Sequence, residues 1–325
     1  ETRRTRGNSK SDGDCNDRTM GKAQFYAIGW FYSAFSASPR DQLPFLVSSN
    51  FHIALTPVQH AMAILRSLTR PENTMLDLIQ QQREIPGRLT FSLARSVTEV
   101  TEAQRIRFKV FAEEMGAKLP SAGLGLDIDR FDEFCDHLLV RDHGNDKVVG
   151  TYRILPPAQA VKAGSYYSEP EFDMTRLMHL RDRMVEVGRS CVHPDYRDGA
   201  TITQLWSGLA DYVTKHNHEY LIGCASISMG DGGHYAASVY NKIHKLHAAP
   251  SEYRVFPHCR LPLESLNQNL DVIIPPLIKG YLRLGAYIAG EPAWDPDFNC
   301  ADVFILLPVS RMNARYAKHF MRHAK

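Results

Sequence analysis

Residues 185–197, VEVGRSCVHPDYR, set a carboxylate, Glu186, three positions before a guanidinium, Arg189, inside an alternating apolar run. Val185, Val187 and the Cys191-Val192 pair suit a pleated, half-buried strand. Gly188 interrupts it, where a bulge or a close backbone approach is expected. Strand backbone freed from pairing can hydrogen-bond a pantetheine arm or polarise a thioester carbonyl, and Glu186 can take a proton from an incoming amine. Read alone, the segment is better taken as an ordinary strand with a structural ion pair.

Outward from this strand, elements alternate. LTFSLA (89–94) reads as a first strand, and residues 97–115 carry Val100, Ala103, Ile106, Val110 and Phe111 at helical spacing. A polar loop over 120–134 precedes HLLVRD and KVVGTYRIL, which form a hairpin around His143-Gly144-Asn145-Asp146. MVEVGRSCV and YLIGCASI are strands separated by a helix over 201–216. Helices over 234–244 and 276–286 flank an extended SEYRVFP, and ADVFILLP closes the series. This order predicts an α/β domain with a mixed central sheet flanked by helices.

Composition narrows the class. The chain has 325 residues, 44% hydrophobic and 23% charged, with a formal net charge of +2. That is a globular composition without the positive excess of a nucleic-acid binder. Six cysteines show no CxxC pairing, so reduced thiols are expected and no zinc ribbon. The longest apolar run, FYAIGWFYSAF (25–35), falls short of the ~18–20 residues of a membrane span. Residues 1–84 read as an N-terminal extension, with Met75 a candidate translation start. The alternative is a membrane-touching arm anchored by Trp30, Phe31 and Tyr32. One α/β domain is expected over 85–325.

Further charged clusters sit at element edges: Arg107 and Phe111 in RFKVF, Asp129 and Asp132 in DIDRFDEF, and Arg153 in GTYRIL. With Glu186 and Arg189 they resemble the constellation of the acyl-homoserine-lactone synthases, which share the fold of the GCN5-related N-acetyltransferases. From Arg88 onward the wider text is similar to another branch, the L-ornithine N-alpha-acyltransferases. The likeness is carried by FAEEMGAKLP, DIDRFDEFCDHLLV, VGTYRILPP, VEVGRSCVHPDYR, LIGCASI, PSEYRVFPHCRLPL and the run from Ile274 to Val309. The resemblance implies a GCN5-related fold and transfer of a 3-hydroxyacyl chain from acyl carrier protein to the α-amine of L-ornithine, giving lyso-ornithine lipid. It also implies a cytoplasmic place, with peripheral contact to the inner membrane.

Such a transfer needs a deprotonated amine, a stabilised oxyanion and a proton for the leaving thiol. Glu186 is the expected base, and Arg189 its catalytic neighbour; a structural pairing of Glu186 with Arg189 or Arg153 is the alternative. Asp129 and Asp132, with Glu133 and Asp136 beside them, either hold the substrate's side-chain ammonium or pair with Arg107, Arg153 and Arg189. In the first case Arg153 or Arg189 grips the substrate carboxylate. Arg107 and Phe111, one helical turn apart, are expected to line one side of the cleft. HPDYRDGAT stands where acetyl-CoA-using relatives carry a glycine-rich pyrophosphate loop. Only Arg197 and Gly199 survive of it, which favours the single phosphate of carrier-protein phosphopantetheine as donor. Arg181, Arg183, Arg197, Lys215, Lys242 and Lys245 are docking candidates for that acidic partner. No bound cofactor and no metal site are expected.

Other readings stay in view. They are an acyltransferase for another amino acid, a lactone-type synthase, and a membrane-active hemolysin-like protein. Cys191 admits a ping-pong route. The HxxxxD spacing of His137 and Asp142 is set aside, because positions five apart on a strand face opposite ways.

Overall fold

The computed structural model describes residues 88–312. The expected extension over 1–84, Met75 and the Trp30–Tyr32 arm lie outside the described residues. No helix among the described residues is long and apolar enough to cross a membrane.

The chain enters through β1 (Leu89–Leu93) and turns into α1 (Val97–Phe108), whose start is fixed by Ser96 accepting from the Glu99 amide at 3.2 Å. The single helix expected to Met115 changes pitch at Lys109–Glu114, a π-helical turn that carries Phe111. The hairpin of β2 (Asp136–Asp142) and β3 (Lys147–Leu155) forms as read. A short helix, α2 (Pro157–Ala163), then ends at Gly164 with φ 86°.

β4 (Phe172–Asp173) and a 3-10 stretch at Thr175–Arg183 lead into β5 (Met184–Val192). There follow α3 (Ala200–Lys215), β6 (Tyr220–Ser228), α4 (His234–His247), β7 (Phe256–Pro257) and α5 (Pro276–Leu284). β8 (Tyr287–Ile288), β9 (Ala293–Asp295) and β10 (Cys300–Pro308) complete the series.

The main sheet runs β1-β2-β3-β5-β6-β10-β8, with β9 also on β10, and it is mixed as expected. All neighbours are antiparallel except β5 and β6, which pair in parallel over Met184 to Glu186 with Tyr220 to Ile222 and then part. At the fork, a Cβ on Gly223 would stand 2.3 Å from the Val187 carbonyl oxygen, so only glycine lets the strands approach there. Strand alternation sorts the side chains of β5: Val185 and Val187 pack in the core with α3, α4 and α5, whereas Met184 packs in the opposite core. Gly208 lets α3 lie close on the sheet, since a Cβ there would meet Leu138 at 2.7 Å and Phe91 at 2.9 Å.

Candidate active site

The fork between β5 and β6 opens into a cavity of about 160 Å³, lined among others by Glu186, Arg189, Arg153, Phe111, Tyr167 and Asp302. The bulge expected at Gly188 is present, displaced by one residue. Thr151 faces Cys191 and Arg153 faces Gly188, so β5 has one residue more than β3 between these pairs. Arg189 takes the left-handed conformation, φ 51°, which turns its guanidinium into the cavity wall.

Glu186 is 3% exposed. Its carboxylate accepts from the Tyr167 amide at 2.5 Å, from the Ser168 amide at 2.9 Å and from the Ser168 hydroxyl. Burial raises it to about 7 against these hydrogen bonds, which favour the charged form. Neither Arg189 nor Arg153 forms a salt bridge with it; their partners are aspartates. The amides are placed by the chain beyond α2: after the Gly164 turn, Tyr166 donates its hydroxyl to the Met184 carbonyl at 2.9 Å, which lays 166–168 under β5. No sequence signal pointed to these amides. α2 was likewise not expected, although Pro157 at its first turn and the glycine after its end are the signals that could have found it.

The arginines and aspartates close into a ring. Arg107 Nε lies 2.9 Å from Asp127 and its Nη2 2.8 Å from Asp132; Arg153 Nη1 lies 3.1 Å from Asp132 and 2.6 Å from Asp129. Arg189 completes the circuit, 3.2 Å from Asp129 and 3.2 Å from Asp127. The ring is formally neutral. Burial pushes Asp132 up, but the hydrogen bond and charge of Arg107, with Arg153, reverse this and hold it well below the usual carboxylate range. Asp129 is likewise lowered against burial by Arg153 and Arg189.

Two expectations change here. Arg107 does not line the cleft: its side chain is fully buried behind the wall, and of the pair only Phe111 reaches the cavity, edge-on to Phe298 at 6.4 Å. Asp129 and Asp132 are committed to arginines and do not line the cavity either, which is the pairing alternative. Acids bonded to guanidiniums on both sides have few lone pairs left for a substrate cation. Asp127, the third acid of the ring, was overlooked, although it sits in phase with Asp129 in DIDRFDEF.

Gly199 has φ 100° and caps the start of α3, where the Ala200 amide is bonded to the Asp198 side chain at 3.0 Å. Arg197 is bound to Glu114 at 2.7 Å and to the Val192 carbonyl at 3.2 Å, outside the cavity wall. The expected docking cations are mostly paired too: Arg181 with Glu169, Arg183 with Glu219, Lys215 with Asp211, and Lys242 with the Val272 carbonyl. Cys191 is buried in a small cluster with Ile106 and Val110, and burial pushes its thiol up to about 12. His137 and Asp142 do not meet: His137 bonds to the Asp132 carbonyl, and Asp142 to Arg88 and Tyr196.

A second set of acids was missed. Asp302 is 4% exposed on β10 and lines the cavity with Asp295 and Cys300, whose ligand atoms all lie within 4.8 Å of one another. The signal was a carboxylate inside the otherwise apolar ADVFILLP, where burial without a reason is rare.

Residues 106–207 match a family model described as an acetyltransferase (GNAT) domain. The chain is 39% identical over 250 residues to an L-ornithine N(alpha)-acyltransferase of Brucella abortus, covering 72% of this chain and 89% of that protein. It is 38% identical over 251 residues to an enzyme of the same name from Agrobacterium fabrum, covering 72% of this chain and 85% of the relative. Among solved structures, TofI in a ternary complex with an inhibitor and MTA is similar at a TM-score of 0.42 and 15% identity, covering 71% of this chain and 96% of that one.

Proposed function

The chain belongs to the L-ornithine N(alpha)-acyltransferase family, and from that premise we propose that it moves a 3-hydroxyacyl chain from acyl carrier protein to the α-amine of L-ornithine, giving lyso-ornithine lipid. The observation that carries the reading is Glu186, a carboxylate raised to about 7 in the wall of a cavity at the fork of β5 and β6. A base with that value can accept a proton near neutral pH.

The donor's pantetheine arm lies in the fork, against strand backbone that β6 leaves unpaired beyond Glu186. The amine attacks the thioester carbonyl as Glu186 takes its proton; the C–S bond breaks, and the thiolate recovers a proton from the Glu186 carboxyl. Arg189 and Tyr167, joined by a 3.0 Å hydrogen bond, form the polar wall that orients the substrate. Arg153 keeps its place in that wall through Asp129 and Asp132, and Arg107 braces Asp132 from behind. Phe111 and Phe298 shield the fork on the apolar side. The turn at Gly199, free of a side chain, is the seat for the donor's single phosphate, with Arg197 beside it. We place the reaction in the cytoplasm, with its lipid product handed to the inner membrane at a peripheral contact.

Direct attack is favoured over an acyl-enzyme because the Cys191 thiol is buried and held protonated. The test is to incubate purified protein with 3-hydroxyacyl carrier protein and a panel of free amino acids and to read products by mass spectrometry. N-acylornithine is expected as the main product. Its absence while another amino acid is acylated removes ornithine as the acceptor.

A further inference from the structure

Resting on that reading and deepening it, we propose that Asp302, Glu171 and Asp295 form the subsite that takes the side-chain ammonium of ornithine, making the enzyme selective for a diamino acid. Asp302 stands in a strand whose residues are all buried, and it lines the same cavity as Glu186. In register it lies between Ser226 of β6 and Ala293 of β9, with Asp295 at the end of the latter strand. Glu171 adds a carboxyl whose Oε2 is buried, with the Cys224 thiol and the Asp302 carboxyl as its neighbours.

The charge balance of the cavity identifies the ligand. Its two arginines, Arg153 and Arg189, are neutralised by the aspartate ring. None of the main influences on Glu171 or Asp302 is a cation; each acid has the other and Asp295 among its charged neighbours. Burial is the main cause that raises both groups; Asp302 and Asp295 add to it at Glu171, and Asp295 at Asp302, so the pair retains a proton when empty. An ammonium brings three N–H donors and a positive charge to acids that make no salt bridge among the described residues and whose neighbouring donors, such as the Cys300 thiol on Asp302, are uncharged. A divalent metal suits the set less well, because burial and Asp302 keep the Cys300 thiol protonated. With the α-amine at Glu186 and the side-chain amine at Asp302, the two ends of one diamino acid meet two walls of a single cavity.

The experiment compares kcat/KM for ornithine and for norvaline, its analogue without the side-chain amine, using 3-hydroxyacyl carrier protein as donor. The wild type should favour ornithine, and Asp302→Asn should lower the ornithine-to-norvaline ratio by about 30-fold or more, mainly through KM. Asp295→Asn should lower it less, since that residue is only partly buried. If Asp302→Asn does not fold, calorimetry of the wild type in buffers of different ionisation enthalpy decides. Ornithine should release about one proton more than norvaline as the ammonium displaces the shared proton. An unchanged ratio in the folded Asp302→Asn variant, equal proton release by the two ligands, or loss of wild-type turnover on adding a chelator would overturn the subsite. Wild-type protein that acylates no ornithine at all would overturn the reading beneath it instead.

Discussion

At the scale of single residues, Glu186 is governed by two opposed effects: burial raises it, and two amides with a hydroxyl hold it partly down, leaving it at about 7. The sign of the pH dependence follows. A base works deprotonated, so kcat/KM is expected to rise with pH through about 7 and level off above it, which a pH–rate profile checks. Stability runs the other way: the folded state holds this proton more tightly than the ordinary glutamate value of 4.5 implies, so the group's contribution falls as pH rises from 4.5 to about 7. Glu186→Gln should lower turnover by about 10²- to 10⁴-fold. It should shift Tm by less than about 5 °C, because relief of a buried charge offsets the loss of an amide acceptor. Cys191→Ser should keep near-normal turnover in the same assay. The identity of Glu186 as the candidate base was legible from its place in an alternating strand. Its partners were not, because two of the three donors, from Tyr167 and Ser168, are backbone amides, which any residue type supplies.

At the scale of elements, the cavity exists because β5 pairs with β3 through a bulge and with β6 over only its first positions. Gly223 sets where the fork begins. Gly223→Ala would drive a Cβ into the Val187 carbonyl, and it should destabilise the protein by about 1–3 kcal/mol and reduce turnover, read by urea denaturation and steady-state assay. The long strands and main helices were readable from periods of two and three to four, and MVEVGRSCV falls on β5; the short strands β4, β8 and β9 were not. The π turn carrying Phe111 was not, because helical spacing over 97–115 looks continuous and a one-residue change of pitch leaves no compositional mark. The bulge was anticipated at Gly188, yet the residue that adopts positive φ is Arg189, held there by Asp129 and Tyr167.

At the scale of the molecule, the neutral ring ties α1, the 127–132 loop, β3 and β5 into one frame around the cavity. Removing one member strands a buried charge. Arg107→Ala should cost about 3–5 kcal/mol, measured as a lower urea midpoint with an unchanged slope. Asp129 and Asp132 are held below their ordinary 3.8, so their pairing contributes stability above that value and loses it as pH falls below. The wild type should therefore lose more stability than Arg107→Ala on going from neutral pH to about pH 3, because the variant has already lost much of this coupling.

The sequence by itself determined the element order, the mixed sheet and the family, since period, glycine placement and a run of matching segments are properties of the chain read in line. Which carboxylates are spent on arginines and which remain open to a ligand was decided only by tertiary structure. Asp129 and Asp132 look available in DIDRFDEF, and Asp302 looks like an anomaly in an apolar strand, until folding pairs the first two with three guanidiniums while the main influences on the third are burial, Asp295 and uncharged donors. Charge compensation depends on distances between residues far apart in the chain, and a linear text does not carry those distances.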